Sequence, residues 1–302
     1  MIELRHYRYV VAVAEALSFS AAARHLDVST PTLSVQIRHV EDAIGTAIFW
    51  RTSQKVELTH VGMVFVAAAK QVLAVARDAE LIGQQAMRGE RGTIQLGYVG
   101  SAVYGGLLQR LIASFKTRYP LVSVQATEYP IDELPKRVES RDIDFAILRP
   151  PFKSGQGLVC IPLSDDHYGV ALPDKHPLSS KSEMVQPADL CATAFVIPEQ
   201  HESATWEVGK AGNFEPQIQS SQATLSAVLT QVSLGEVAAI VPRSVISNLI
   251  IPGVAYKELA GLEIKTGLVG LHRSSGLSVV VGHLVAIAAQ MRHPMGGIGE
   301  HT

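Results

Sequence analysis

The chain has little of what would mark a secreted, membrane-embedded or metal-built protein. Of its 302 residues only two are cysteine, Cys160 and Cys191. Neither belongs to a Cys-x-x-Cys pair or stands near histidine at ligand spacing, so a disulfide framework or a zinc site is not expected, and no cofactor or metal is. Both cysteines read as small, semi-buried hydrophobes. No run approaches the ~18 to 20 continuous apolar residues of a membrane helix; the longest candidate, 279–289, is short and contains His283. The first residues, Met1-Ile2-Glu3-Leu4-Arg5-His6, carry charges where a signal peptide has its apolar region, so a cytoplasmic location and no membrane partner are expected. Charge of one sign is also missing. The formal balance is −2, and within residues 1–60 Arg5, Arg8, Arg24, Arg38, Arg51 and Lys55 are matched by Glu3, Glu15, Asp27, Glu41, Asp42 and Glu57. Any binding to nucleic acid therefore rests on a few placed cations and helix ends, not on a basic field. Catalytic fingerprints are lacking too: there is no Gly-x-Ser-x-Gly, no Walker loop and no His-Glu-x-x-His, and Gly155-Gln156-Gly157 sits in a Pro/Gly/Ser loop, so an enzyme is not expected.

What is present is length enough for two domains, with 47% hydrophobic residues, and a dense pattern over residues 18–44. Ser20 precedes Ala21-Ala22-Ala23, residues of high helix propensity, and is placed to cap a helix starting there. Leu26-Asp27-Val28-Ser29 sets two apolar residues around a turn former. Pro31 then falls in the first turn of a second helix, where its missing N–H costs nothing. On that helix Leu33, Ile37, Val40 and Ile44 form one apolar stripe, leaving Thr32, Ser34, Val35, Gln36 and Arg38 on other faces. Upstream, Leu4, Tyr7, Val11 and Ala14 mark a first helix. Downstream, 48–51 and 55–58 read as a short hairpin, or wing. The unit is a winged helix-turn-helix, whose second helix is the one that enters a DNA major groove.

These residues resemble the LysR-type transcriptional regulators. The resemblance is carried by Phe19-Ser20-Ala21-Ala22-Ala23, Leu26, Val28-Ser29, Pro31, Leu33-Ser34, Gln36-Ile37, Val40-Glu41, Gly45, Phe49, Arg51, Leu58-Thr59 and Gly62. It continues more weakly in Leu96-Gly97-Tyr98, Tyr119-Pro120, Asp142-Ile143-Asp144-Phe145-Ala146 and Ala239-Ile240-Val241-Pro242. The chain departs from the family at Thr30 and Val35, where Gln and Arg are common. The candidate DNA contacts are Ser20, Thr30, Pro31, Thr32, Ser34, Val35, Arg38, Arg51 and Lys55. The competing reading is a solute-binding or scaffolding protein with a degenerate DNA-binding module.

Residues 60–88 carry a seven-residue apolar repeat: Val61, Ala68, Val75 and Ile82 in one set, Phe65, Val72, Ala79 and Ala86 in the other. This is a coiled-coil seam, capped by Thr59, and it predicts a homodimer. The helix ends at Arg88-Gly89-Glu90-Arg91-Gly92, read as a hinge. The expected divisions are 1–59 for the DNA-binding domain, 60–89 for the linker helix and 90–302 for a regulatory domain.

From Thr93 the pattern alternates. Strands are expected at 94–99, 122–127, 144–148, 167–172 and 237–241, with strand-rich sequence to Leu271. Helices are expected at 107–117, 133–139, 205–211, 223–234, 243–250 and 277–291, with 294–299 a frayed tail. The class is α/β. The resemblance implies two Rossmann-like lobes, as in periplasmic binding proteins, with lobe I at 90–163 and 266–302 and lobe II at 164–265. The chain would cross between them near Leu163-Ser164 and Lys265-Thr266. Ligands of open α/β sheets bind at the carboxyl ends of strands. There Ser101, with the N–H groups of Ala102 and Val103, offers an anion site suited to a carboxylate, and Arg149 is the nearest cation at a strand end. From the second lobe the resemblance points to His201, Ser203 and Gln222. It also implies a small-molecule effector, commonly a carboxylate or an aromatic acid, and homotetramers built as pairs of dimers; the residues themselves argue for an anionic group.

Overall fold

The structure is a computed structural model that describes residues 1–51, 55–153, 155–181, 183–199, 204–246, 248–261 and 265–291. It falls into two compact units, Met1–Gln85 and Ala86–Thr302.

The first unit opens with three helices, α1 (Leu4–Ala16), α2 (Phe19–His25) and α3 (Thr30–Ile44). The cap of α2 is Ser18, whose hydroxyl accepts from the Ala21 N–H at 3.3 Å. Ser20 lies inside the first turn and is exposed, which corrects the expected start by two residues: Ser18 has the extended backbone that a cap needs, and Phe19 is already helical. Asp27 turns the chain with a left-handed backbone, φ 54°, a conformation that Asp tolerates better than most side chains. Ser29 then caps α3 by accepting from the Thr32 N–H at 3.2 Å, and Gly45, φ 81°, ends it. In α3 the expected stripe is the core: Leu33, Ile37 and Val40 are 0% exposed. Replacing any of them by alanine should cost about 2 to 5 kcal/mol. The buried side of α1 is shifted from the expected one. His6, Val10 and Val13 are buried, whereas Leu4 is exposed and Tyr7, Val11 and Ala14 are half-buried.

Strands β1 (Phe49–Arg51) and β2 (Val56–Leu58) pair antiparallel as the wing. Glu41 of α3 fixes the wing to the helix, its Oε1 accepting from the N–H groups of Ile48 and Phe49 at 3.0 and 3.2 Å. Thr59 then caps α4 (His60–Met87) as expected, with Oγ1 accepting from the Gly62 N–H at 2.8 Å. Gly62 is needed there because a Cβ would collide with the Ile48 carbonyl. The early turns of α4 bury Gly62, Val66 and Ala69, and Phe65 stacks on Tyr7. Beyond them, Ala68, Val72, Val75, Ala79 and Ile82 are exposed along one 28-residue helix. By length and composition alone α4 is apolar enough to cross a membrane, its mean hydropathy reaching 1.3 over 18 residues. Lys70 and Gln71 interrupt its apolar residues, so it holds no long continuous apolar run.

The second unit is built on one mixed sheet. Strands β3 (Arg91–Tyr98), β4 (Leu121–Glu128) and β5 (Phe145–Leu148) are parallel, with β3 in the middle. Between them lie the short α5 (Ser101–Tyr104), α6 (Leu107–Arg118) and α7 (Leu134–Glu139). Strand β6 (Leu158–Pro173) is far longer than the expected 167–172. Its first part pairs with β11 (Lys265–Arg273), and its second with β9 (Ala239–Pro242) and β10 (Val254–Glu258). Continuous strands thus run between the two halves of the unit, with Asp165, Asp166 and His167 facing Gly267, Thr266 and Lys265 in register. Polar residues of low strand propensity hid the crossing from a strand count.

Two further strands, β7 (Ala194–Pro198) and β8 (Gln217–Gln222), form a parallel pair that the sequence reading omitted. The sequence of β8, Gln-Ile-Gln-Ser-Ser-Gln, has almost no apolar content to announce it. Helices α8 (Ala204–Gly212), α9 (Leu225–Ser233), α10 (Arg243–Ile246) and α11 (Val279–Gln290) complete the unit. Helix α11 packs on the core of the first lobe through Val280, Val281, Leu284 and Ile287. The expected tail, 294–299, lies outside the described residues. Both cysteines are exposed and free, not semi-buried: Cys160 sits on β6 among outward positions, and Cys191 just after a short 3-10 turn.

Candidate nucleic-acid interface and ligand cavity

Burial of Leu33, Ile37 and Val40 turns the opposite side of α3 outward. Thr30, Pro31, Thr32, Val35 and Arg38 are exposed there, Val35 at 57%, and Ser34 is half-buried. Gln36 is drawn inward instead, its Oε1 accepting from His6 Nε2 at 2.8 Å. Since His6 Nδ1 accepts from the Glu3 N–H at 2.8 Å, Nε2 is the nitrogen that donates to Gln36. The α3 register relative to α1 is therefore set by a hydrogen bond as well as by packing.

Arg51, expected on DNA, is occupied within the domain. Its Nη2 pairs with Glu41 at 2.9 Å, its Nη1 donates to the Ser34 hydroxyl at 3.0 Å, and its guanidinium lies 4.5 Å from the centre of the Phe19 ring. Lys55 pairs with Glu57 at 2.5 Å. These two cations brace the wing, and their charge is partly spent, which the sequence hinted at by matching every cation with a nearby acid. Arg38, by contrast, is exposed on α3.

In the second unit, a cavity of about 350 Å³ lies where the carboxyl ends of β3, β4 and β5 meet the strand ends of the second lobe. Ser101 and Arg149 line it as expected. Ala102 does not: it is fully buried, and its N–H donates to the Val99 carbonyl at 2.9 Å, while that of Val103 donates to Gly100 at 3.0 Å. The proposed pair of amides is consumed within the turn, because α5 is only four residues long. What remains for a ligand is the Ser101 side chain. Gln222, paired with Pro198 in the β7–β8 ladder, does not line the cavity; the next residues, Ala223 and Thr224, do. Thr224 caps α9 by accepting from the Ala227 N–H at 3.3 Å. His201 and Ser203 lie outside the described residues.

Arg149 is deeply buried at the end of β5. It donates through Nη2 to Asp166 at 3.2 Å and through Nη1 to Thr266 at 3.1 Å, both on the crossing strands. Burial pushes its pKa down, and the Asp166 carboxylate opposes that shift. Its Nε is buried with no partner among the described residues, an orphan donor inside the wall. Sequence reading missed Glu128, which also lines the wall. The signal was available: β3 and β4 run parallel with Tyr98 opposite Glu128, so the end of one strand implies the end of the other.

Comparison with known proteins bears on the family and the fold. The sequence profile for the bacterial regulatory helix-turn-helix protein of the lysR family matches residues 4–63, and that for the LysR substrate binding domain matches residues 87–292. The chain is 28% identical to the HTH-type transcriptional regulator AlsR of Bacillus subtilis (strain 168), over 95% of each chain. It is 32% identical to the HTH-type transcriptional regulator BudR of Raoultella terrigena, over 88% of this chain and 92% of that one. Among solved structures, CbnR, a LysR family transcriptional regulator, superposes with a TM-score of 0.77 at 26% identity, covering 95% of this chain and all of CbnR. The fold of full-length CbnR complexed with its target DNA matches with a TM-score of 0.80 at 24% identity, covering 96% and 99%. These relatives are regulators and not enzymes. The chain belongs to the LysR family of DNA-binding transcriptional regulators, with an N-terminal helix-turn-helix and a C-terminal effector-binding domain.

Proposed function

We propose that this regulator reads its operator with the outward side of α3 and is controlled by a small carboxylate-bearing effector held at Ser101 and Arg149. The observation that carries the reading is the division of α3: three core residues at 0% exposure on one side, and Thr30, Thr32, Val35 and Arg38 exposed on the other. Small hydroxyl and methyl groups suit close approach to base edges, and Arg38 supplies a cation for a guanine edge or a phosphate. Without a basic field, a single domain binds weakly. Two domains joined through the exposed α4 seam would supply the affinity by acting together, as a homodimer and then a homotetramer.

The cavity reading is supported by Arg149 and Ser101, which both line its wall. An effector carboxylate pairs with the Arg149 guanidinium, with the Ser101 hydroxyl as a second donor. Binding acts by favouring one arrangement of the protein over another, typically worth about 1 to 3 kcal/mol of coupling. The protein works in the cytoplasm, where its operator is. The test is a gel shift on the DNA adjoining its own coding region, run with Arg38→Ala beside the unaltered protein. Retarded DNA that is lost with Arg38→Ala supports the reading, and equal retardation rejects α3 as the reader.

A further inference from the structure

We propose that the effector is a zwitterion, a small molecule that presents an ammonium group beside its carboxylate, and that Glu128 is the residue that selects for the ammonium. This rests on the cavity reading above and sharpens it from a net anion to a neutral ampholyte.

Among the described residues that line the cavity, the charged side chains are Arg149 and Glu128. Their electrostatic standing differs. The Arg149 charge is already balanced by Asp166 at 3.2 Å, which does not line the cavity. Glu128 has no ion pair or hydrogen bond among the described residues. Its carboxylate lies against Gly100, where an added Cβ would come within 2.8 Å of Oε1, so it stands over the loop that carries Ser101. Tyr104 feels that charge, since its hydroxyl is held above the ordinary range first by burial and then by Glu128. The wall thus carries one uncompensated negative charge.

Glu128 is exposed at the cavity wall, and a simple carboxylate would bring a second negative charge beside it, where like charges repel, less strongly than in a buried site. A zwitterion resolves the conflict. Its carboxylate meets the Arg149 guanidinium and the Ser101 hydroxyl, its ammonium meets Glu128, and the site gains no net charge. The wall also carries apolar side chains, Val99, Ile131, Leu225 and Ile240, beside the hydroxyl-bearing Tyr129, Tyr168 and Thr224, and the volume of about 350 Å³ is at the small end of ligand pockets. An amino acid with an apolar side chain has this chemistry.

Matched probes decide it, using calorimetric titration and thermal shift on the full chain. Leucine is compared with 4-methylpentanoate and with 2-hydroxy-4-methylpentanoate, and phenylalanine with 3-phenylpropanoate. Each amino compound should bind at least about tenfold more tightly than its amine-free partner. In Glu128→Gln, which keeps the side-chain shape, that preference should fall below about twofold, mainly because the plain acids bind better. The proposal is overturned if plain acids match amino compounds in the unaltered protein, if the hydroxy acid binds as tightly as leucine, if the preference survives Glu128→Gln, or if no amino compound binds. Ser101→Ala and Arg149→Met separate this from the underlying reading, Ser101→Ala being the smaller change should Arg149→Met not fold. Binding that needs either position but ignores Glu128 keeps the cavity and discards the zwitterion. Binding indifferent to all three discards the cavity itself.

Discussion

Arg149 and Asp166 are 17 positions apart in sequence and 3.2 Å apart in space, each side chain 9% exposed. The pair ties the end of β5 to the crossing strand β6. Asp166 also accepts from the Ser244 hydroxyl at 2.6 Å and the Ser244 N–H at 3.3 Å, at the start of α10 in the second lobe. One carboxylate therefore holds both lobes and the cavity's cation.

Removing one member of a buried pair strands the other. Arg149→Met or Asp166→Asn should each lower stability by about 3 to 5 kcal/mol. Asp166→Asn should be the worse of the two, because the Ser244 donors and the His167 N–H, 2.9 Å from Oδ1, also lose their charged acceptor. The double variant should cost less than the sum of the singles. Urea denaturation of the four proteins checks this, and strict additivity would show that the pair contributes no coupling.

Glu41 joins α3 to the wing through two backbone N–H groups and Arg51. Glu41→Ala should destabilise the N-terminal unit by about 1 to 3 kcal/mol by stranding those donors. It should also release Arg51. Hydrogen exchange at Ile48 and Phe49 is the direct readout, and unchanged protection there would refute the bracing role.

The α4 seam is testable by charge. Val72 is 39% and Val75 68% exposed on a helix that no other part of its own unit covers at those positions. Val72→Glu with Val75→Glu should lower the assembly state in analytical ultracentrifugation while leaving the helical circular dichroism intact. Native size in the double variant would reject the coiled-coil dimer.

Much of the N-terminal unit was legible because its signals are local. The α3 stripe, the Pro31 position and the Thr59 cap each depend on residues within a turn or two. The start of α2 was misplaced because Ser18 and Ser20 are chemically alike, and only backbone conformation separates a cap from a first-turn residue. In the regulatory unit Ser101 and Arg149 were legible as strand ends. The loss of the Ala102 and Val103 amides was not, since a four-residue helix spends them on its own turn. Glu128 and Asp166 escaped notice because their roles come from strands that meet only in the folded sheet, one by parallel register and the other across 17 residues. The hold of Glu41 on Arg51, ten residues later, was not legible, because it depends on the wing folding back on α3.

Arg38 bears most directly on the central claim that α3 reads DNA. Fluorescence anisotropy should follow binding of the full chain to the DNA upstream of its own coding region, across a salt series, for the unaltered protein and Arg38→Ala. The account predicts a loss of about 1 to 3 kcal/mol in affinity for that DNA if Arg38 meets a base, or a salt slope shallower by about 1 if it meets a phosphate, with the assembly state unchanged. Identical affinity and slope in the two proteins would contradict it.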